Sequence, residues 1–272
     1  MQFAKKIYYI FREIDLPITF KIKYFSESLI KFPVLLLNKY LNLKLPLPYL
    51  FNKDYILKNK RGIWKIRHHS DFDYTINSYH ELEIEQHFKF SQGIFLDIGA
   101  HIGKWSIFVA KSSPEIVVYS FEPNPIVFKY LQENIKLNQL KNIIPINLGV
   151  SSKKEKLCFY MPETMTSTAK IVSCSTNKDV IEIETTSIDE FIHKTKINPL
   201  KITLIKIDVE GHEFEVLKGM KKLLKMLPND IKIICEILED KNINLILKFM
   251  KKLGYIHKVL ETQTDYLFYK FP

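Results

Sequence analysis

The run Gly93-Ile94-Phe95-Leu96-Asp97-Ile98-Gly99-Ala100-His101-Ile102-Gly103 changes its hydrophobic period halfway along. Ile94 to Ile98 is a short apolar run of the kind that forms a buried strand. From Ile102 onward the pattern is helical, with Trp105, Ile107, Phe108 and Val109 available to pack inward. Asp97-x-Gly99-x-x-x-Gly103 therefore straddles a strand-to-helix turn. Glycines at such a turn permit positive φ and let backbone N–H groups approach a ligand. An acid followed by G-x-x-x-G is not the G-x-G-x-x-G of a dinucleotide-binding turn. Taken alone, the stretch reads equally as a plain bend or as a ligand loop.

Working outward, apolar strands alternate with helical patterns. The spacing predicts strands at Ile116–Phe121, Ile143–Val150, Ile202–Ile207 and Ile231–Ile237. Asn124 is expected to cap a helix through Phe128, Leu131, Ile135 and Leu137. Further helices are expected from about His212 to Leu227 and from about Asn242 to Leu253. Such alternation implies an α/β fold with parallel pairing and right-handed crossovers. Tyr255–Leu260 and Tyr266–Phe271 are joined by a short turn, so they must pair antiparallel. The alternation lapses at about 151–186, read as an insertion with strands at Lys156–Tyr160 and Val180–Thr185 around the polar stretch Thr164–Thr168. Ser187 is expected to cap a short helix beginning at Ile188. An insertion after the third strand lies at the C-terminal edge of the sheet, where open α/β sheets bind ligands.

Upstream, residues 1–50 read as a basic amphipathic helical extension in which Lys5, Lys6, Arg12, Lys21, Lys23, Lys31, Lys39 and Lys44 face only Glu13, Asp15 and Glu27. A helical cap packed on the main domain, an oligomer contact or a segment lying on an anionic membrane surface has this composition. Residues 51–92 read as a lead-in to the main domain at 93–272. It comprises a hairpin, Tyr55–Leu57 with Ile63–Arg67, and a helix through Tyr74 to Phe88. The chain of 272 residues carries a net charge of +10 and a pI near 9.2, which favours an anionic partner without naming it. Phe32–Leu37, the most apolar stretch, is far short of the ~20 residues that span a bilayer. No signal peptide is evident. Cys158, Cys174 and Cys235 form no C-x-x-C pair and are read as unpaired thiols of a reducing compartment. The expected location is cytoplasmic, or peripheral at the inner membrane face.

The residues that carry chemistry gather at predicted strand ends. Glu122 ends the second strand, where an acid accepts hydrogen bonds from ribose hydroxyls. Asn147, near the end of the third, is within reach of an adenine edge in such a fold, or is an ordinary loop asparagine. Lys206-Ile207-Asp208-Val209-Glu210-Gly211-His212-Glu213 crowds ionisable groups at the end of the fourth strand. Lys206 and Asp208 point the same way by strand alternation. A lysine and acids among isoleucines imply a paired site, because an unpartnered buried charge is costly. Glu236 ends the fifth strand and would lie beside this cluster if the two strands are neighbours.

These motifs together resemble the FkbM-type S-adenosylmethionine-dependent methyltransferases. The resemblance rests on Asp97–Gly103, Phe121-Glu-Pro-Asn124, Leu131-x-x-Asn134-x-x-Leu-Asn138, Ile205–Glu213 and Val216-Leu217-x-Gly219, with Ile66–Asp71 as a similar lead-in. It covers roughly residues 62–260. His101 departs from the asparagine usual in the family's turn. The resemblance implies a Rossmann-like seven-stranded sheet closed by an antiparallel hairpin. Asp97, Gly99, Ala100, His101 and Gly103 would cradle the methionine part of S-adenosylmethionine, Glu122 would hold its ribose, and Asn147 with Gly149 would border its adenine. The implied chemistry is O-methylation, here of a sugar hydroxyl in a glycan, glycolipid or secondary metabolite.

Asp208 or Glu210 is then the expected general base, with Lys206 orienting them or polarising the acceptor. His212 is a further candidate, a neutral Lys206 would need a large downward pKa shift, and Glu236 counts among the catalytic residues. Asp208, Glu210 and Glu236 are also ligands of the type magnesium prefers. The base and cofactor roles account for them without it, and no metal is assigned. The rivals are an RNA 2′-O-methyltransferase and a non-catalytic cofactor-binding or membrane-associated scaffold. The fourth strand lacks the Asp/Asn-Pro-Pro-aromatic loop of base-amino methyltransferases, and no aromatic–basic stripe for stacking bases stands out, so nucleic acid is not favoured as a partner.

Overall fold

In the computed structural model, the described residues are 18–40, 54–59, 61–67, 82–88, 90–160, 170–174, 179–238 and 240–270. The chain divides into two compact units, Met1–Tyr79 and His80–Pro272. The first holds helix α1 (Ile18–Tyr40), which contains Pro33, and the antiparallel hairpin of β1 (Tyr55–Asn59) and β2 (Gly62–Ile66). Asn59 closes that hairpin: its Oδ1 accepts from the backbone N–H of Arg61 and Gly62 and from the Trp64 indole. Of the helix predicted through Tyr74–Phe88, the described part is α2 (Leu82–His87), which belongs to the second unit. The remainder, like the polar stretch Thr164–Thr168, lies outside the described residues.

The second unit carries the α/β fold expected of the chain. Its elements follow as β3 (Gly93–Ile98), α3 (Lys104–Ser112), β4 (Ile116–Phe121), α4 (Pro125–Leu137), β5 (Ile143–Ile146), β6 (Gly149–Val150), β7 (Lys156–Tyr160), β8 (Lys170–Val172), β9 (Val180–Thr186), α5 (Ile188–Thr195), β10 (Ile202–Ile207), α6 (Glu213–Gly219), α7 (Lys221–Met226), β11 (Lys232–Glu236), α8 (Asp240–Lys252), β12 (Tyr255–Val259) and β13 (Asp265–Lys270). Seven strands form one sheet in the order β12-β13-β11-β10-β3-β4-β5. β11, β10, β3, β4 and β5 pair parallel, and β13 is antiparallel to both of its neighbours. The architecture is the Rossmann-like seven-stranded sheet with a closing hairpin. From β3 the chain winds outward to β5 and then returns to β10 on the other side of β3. The strand order therefore reverses between β3 and β10, which opens a crevice at their C-terminal ends. Ile98, Ile205, Ile207, Ile233 and Phe268 build the core beneath it, packed against Val216, Leu217 and Ile246 of the helices.

Three expectations are corrected. The third strand is not continuous from Ile143 to Val150. β5 stays at the sheet edge, where Pro145 costs no ladder bond, and β6 joins a separate sheet ordered β6-β9-β7-β8. The break falls at Asn147, whose side-chain amide donates to the carbonyls of Glu122 and Pro123 and turns the chain away. The helix expected over His212–Leu227 is interrupted at Met220. A Cβ on Gly219 would stand 2.0 Å from the Ser151 carbonyl oxygen, so this helix end is pressed against the chain leaving β6. Finally, Cys158 and Cys174 form a disulfide. The register of β7 and β8 sets Cys158 opposite Val172, so the chain just past β8 meets it. Widely spaced cysteines did not announce this pairing, because it depends on a hairpin register. With it goes the cysteine-based argument for a reducing compartment; Cys235 is free and buried. Among the described residues no helix is long and apolar enough to cross a membrane.

Candidate active site

The two central turns are built against each other. The Asp208 N–H donates to the Ile98 carbonyl (2.9 Å), continuing the β3/β10 ladder past the strand ends. Gly99 has φ +87°, and a Cβ there would stand 1.8 Å from the Asp208 carbonyl oxygen. Only glycine satisfies both conditions. At Gly103 (φ +96°) a Cβ would meet the Leu131 side chain at 2.7 Å, and Asn134 donates to the Ile102 carbonyl at 3.0 Å. The α4 residues Leu131 and Asn134 thus fix the turn from below. His101 is left-handed too, at φ +51°, a conformation in which asparagine and histidine are both enriched. That shared tolerance accounts for histidine at a position where asparagine is usual.

The amides of Gly99 and Ala100 both donate to the Phe121 carbonyl, and Gly103 donates to Ala100. These N–H groups are engaged inside the protein, so what the turn offers a ligand is the set of carboxylates it brings together. Glu122, 6% exposed, accepts from the His101 N–H through Oε2 (2.9 Å) and from the Asn124 N–H through Oε1 (2.8 Å). Asn124 caps α4 as expected, its Oδ1 accepting from Ile126 and Val127. Asn147 is exposed and tied to the loop after β4, while Gly149 is buried in β6 beside Thr185.

Asp97 is buried, and its Oδ2 accepts from the Ser106 hydroxyl, which also meets the Ser120 hydroxyl at 2.6 Å. Burial pushes the Asp97 carboxyl up to about 6, against the pull of Ser106 and Lys206. Lys206 lies opposite Asp97 in the β3/β10 register and is 2% exposed. Its Nζ stands 3.3 Å from Asp208 Oδ2 and 3.4 Å from Asp265 Oδ1. Burial would favour a neutral amine, but the charges of Asp208 and then Asp265 outweigh it and hold Lys206 protonated. It is a fixed cation, not a base.

At the end of β11 stands Glu236, level with Asp265 of β13. The Asp208 charge, then burial, pushes its carboxyl up to about 9. Asp208 moves the other way. Burial resists its ionisation, yet Lys206, a hydrogen bond from Glu236 and the nearby His101 keep its pKa low. One proton is thus held between two carboxyls, on Glu236 and facing the Asp208 carboxylate. Glu210 has φ +53°, and burial, then Asp208 and Glu213, raises its pKa to about 8. Glu213 is fully buried at the start of α6 and accepts from the Gly211 N–H (2.7 Å). His212 reaches the Ser151 hydroxyl at 3.0 Å, and burial lowers its pKa.

The predicted residues Asp97, His101, Glu122, Lys206, Asp208, Glu210 and Glu236 all stand at the C-terminal ends of β3, β4, β10 and β11. The structure adds Asp265, Ser106 and Ser120, which the sequence reading passed over. Asp265 opens β13, and its signal in the sequence is an acid directly before an otherwise apolar strand. Ser106 stood between Trp105 and Ile107 on the inward side of α3, a polar residue where a buried partner was needed. Among the described residues, no group of three or more His, Cys, Asp and Glu side chains is arranged to hold a metal ion.

Residues 97–256, more than half of the chain, match the Methyltransferase FkbM domain. Among curated proteins the chain is 33% identical over 133 residues to the hexuronic acid methyltransferase AglP of Haloferax volcanii, covering 48% of this chain and 52% of that one. It is 32% identical over 134 residues to the tRNA(Phe) (4-demethylwyosine(37)-C(7)) aminocarboxypropyltransferase of Methanocaldococcus jannaschii, covering 47% and 54%. The chain thus spans about half the length of these relatives. A solved structure, M. jannaschii TYW2 in complex with AdoMet, is similar over 83% of this chain and 90% of that one, with TM-score 0.45 and 19% identity. On the matched domain, the chain belongs to the FkbM methyltransferase family.

Proposed function

We propose that this protein is an S-adenosylmethionine-dependent O-methyltransferase whose acceptor is a sugar hydroxyl in a glycan, glycolipid or secondary metabolite. The observation that carries the reading is the ring of carboxyls around Lys206 at the β3/β10 crevice, with three different protonation tendencies in Asp208, Glu236 and Glu210. The donor set fits the cofactor. Glu122 offers carboxylate oxygens of the kind that accept from a ribose diol, and Asp97 offers negative charge for an amino acid's ammonium group. S-adenosylmethionine, when bound, supplies a sulfonium methyl group as electrophile. Holding donor and acceptor in line is worth ~7–11 kcal/mol of the barrier.

A sugar hydroxyl is a poor nucleophile, so removing its proton adds ~10²–10⁴-fold. Glu210 suits that task, because a carboxylate whose pKa is near 8 is a stronger base than an ordinary one while still ionised in mildly alkaline solution. Asp208, held ionised by Lys206 and Glu236, positions the hydroxyl by accepting from it. Glu236 keeps the proton that allows both carboxyls to remain side by side.

The hexuronic acid methyltransferase among the relatives supports a sugar acceptor. The tRNA-modifying relative keeps RNA as the second reading. An RNA backbone would have to approach the edge that carries Asp97, Glu122, Asp208, Glu210, Glu236 and Asp265, where phosphates meet carboxyls. Lys111, Lys136, Lys225, Lys251 and Lys252 lie in the last turns of the crossover helices, toward the opposite edge, whereas Lys104 opens α3 on the site's own edge. The test is transfer from S-adenosylmethionine labelled in its methyl group, and separately in its aminocarboxypropyl group, into fractionated glycans, lipids and RNA. Methyl label in glycan or glycolipid is expected. Methyl label in RNA alone overturns the acceptor, and transfer of the other label overturns the reaction.

A further inference from the structure

Half-exposed or fully exposed apolar side chains cluster on α1 to a degree seen nowhere else among the described residues. Ile18, Ile22, Phe25, Leu29, Phe32, Leu36 and Tyr40 are all exposed, Ile22 by 56% and Leu29 by 55%. At 100° per residue these positions fall within one sector of about 80°, a stripe along a helix about 34 Å long, while Ile30, also exposed, lies outside it. Isolated exposed leucines need no explanation, but a contiguous apolar stripe does. The same 23 residues contain Lys21, Lys23, Lys31 and Lys39 against Glu27. The helix lacks the apolar length to cross a bilayer. Its stripe and its charge are those of a helix that lies along a surface.

We propose that the stripe from Ile18 to Tyr40 is a docking face for a bilayer rich in anionic headgroups. Burying Ile18, Ile22, Leu29 and Leu36 at the headgroup–acyl boundary removes their apolar area from water, and the lysines gain from the negative surface potential. A second copy of the helix is the other apolar partner the stripe could take, since its four–three spacing is that of a coiled-coil seam. The charges oppose this. The next seam position after Leu36 is Lys39, and the flanking positions Thr19, Lys21, Ser26, Ser28, Pro33 and Leu35 include no acid to meet Lys21 across a dimer. Pro33 also removes a backbone donor in the middle of the stripe. An anionic lipid surface supplies the countercharge that a second copy lacks.

The inference is tested with the full chain by flotation on phosphatidylcholine vesicles with and without phosphatidylglycerol, at low and high salt. The expected result is flotation with phosphatidylglycerol that weakens with salt and is poor on phosphatidylcholine alone. Leu29→Glu with Leu36→Glu should weaken partitioning by roughly tenfold or more for each residue. Ile18→Ser with Ile22→Ser, at the other end of the same stripe, provides a second variant should the first misfold. Flotation unchanged in both variants overturns the proposal. So does a wild-type dimer, seen by light scattering, that the substitutions dissociate while the vesicles recover no protein.

Discussion

Glu122 and Glu236 stand one strand out on either side of the β3/β10 pair, at the same edge of the same sheet. Their fates differ because their neighbours do. The Glu122 side chain receives two backbone N–H groups, from His101 and Asn124, and so acts as a hydrogen-bond acceptor with lone pairs left for a ligand. Glu236 faces Asp208, whose charge raises its pKa to about 9. A carboxyl at the end of an α/β strand is therefore an acceptor or a proton reservoir according to what stands across from it. Residue type alone does not decide the role.

Lys206 weighs most in that difference, because its cation stands among the carboxyls around Glu236. Replacing it, as Lys206→Met, leaves the buried Asp265 and the half-buried Asp208 without their cationic partner. The expected loss is about 3–5 kcal/mol of stability, read by urea denaturation. A variant as stable as the wild type would show that the ion pairs do not hold the site together.

Next in size is the split between two substitutions at Glu236. Glu236→Gln keeps a donor toward the Asp208 carboxylate and should retain methyl transfer within roughly tenfold, whereas Glu236→Ala should lose about a hundredfold. The stability sign is also fixed. Glu236 is neutral in the fold up to about pH 9, but an unfolded glutamate ionises near 4.5. Its contribution is thus fully present below the lower value and is lost as pH rises toward the upper one. Glu236→Gln should melt above the wild type near about pH 8 and alongside it near about pH 4. Equal melting at both would mean that Glu236 is ionised in the fold. At the other glutamate, Glu122→Gln should weaken S-adenosylmethionine binding by roughly 10–100-fold in calorimetry, the worth of charged hydrogen bonds to a ligand and to the turn. Unchanged affinity would take Glu122 out of the cofactor site.

A smaller effect distinguishes the base. With Glu210 as base, kcat/KM rises about tenfold per pH unit below pH 8 and levels above it, as the carboxyl ionises. A flat profile across neutrality would hand the role to Asp208, already ionised there. The smallest expected effect is none. Chelation with EDTA should leave turnover unchanged, and loss restored by magnesium would convert the carboxyl ring into a metal site.

Much of the fold was legible in the sequence because it rests on local signals. The period change at Ile98–Ile102, the caps Asn124 and Ser187, and the glycines of the first turn act within a few residues of themselves. Strand existence followed from apolar runs, and the antiparallel closing pair followed from a short turn. The same locality explains the errors. The strand expected through Val150 breaks at Asn147 because its amide meets carbonyls beyond β4, a contact between distant segments. The Cys158–Cys174 bridge required the register of β7 with β8, which no spacing encodes.

The candidate site divides along the same line. The chain's own order put an acid before G-x-x-x-G, another acid after the next strand, and Lys206 two residues before Asp208 on one strand face. Those are facts of spacing and side-chain alternation, and they were enough to name a cofactor class by resemblance. Which carboxyl carries the proton was decided by the folded sheet alone. It brought Asp265 to Lys206 and Glu236 to Asp208 from strands far apart in sequence. A charge responds to what lies within a few ångströms of it, and only the packing of β10 between β3 and β11 sets those distances.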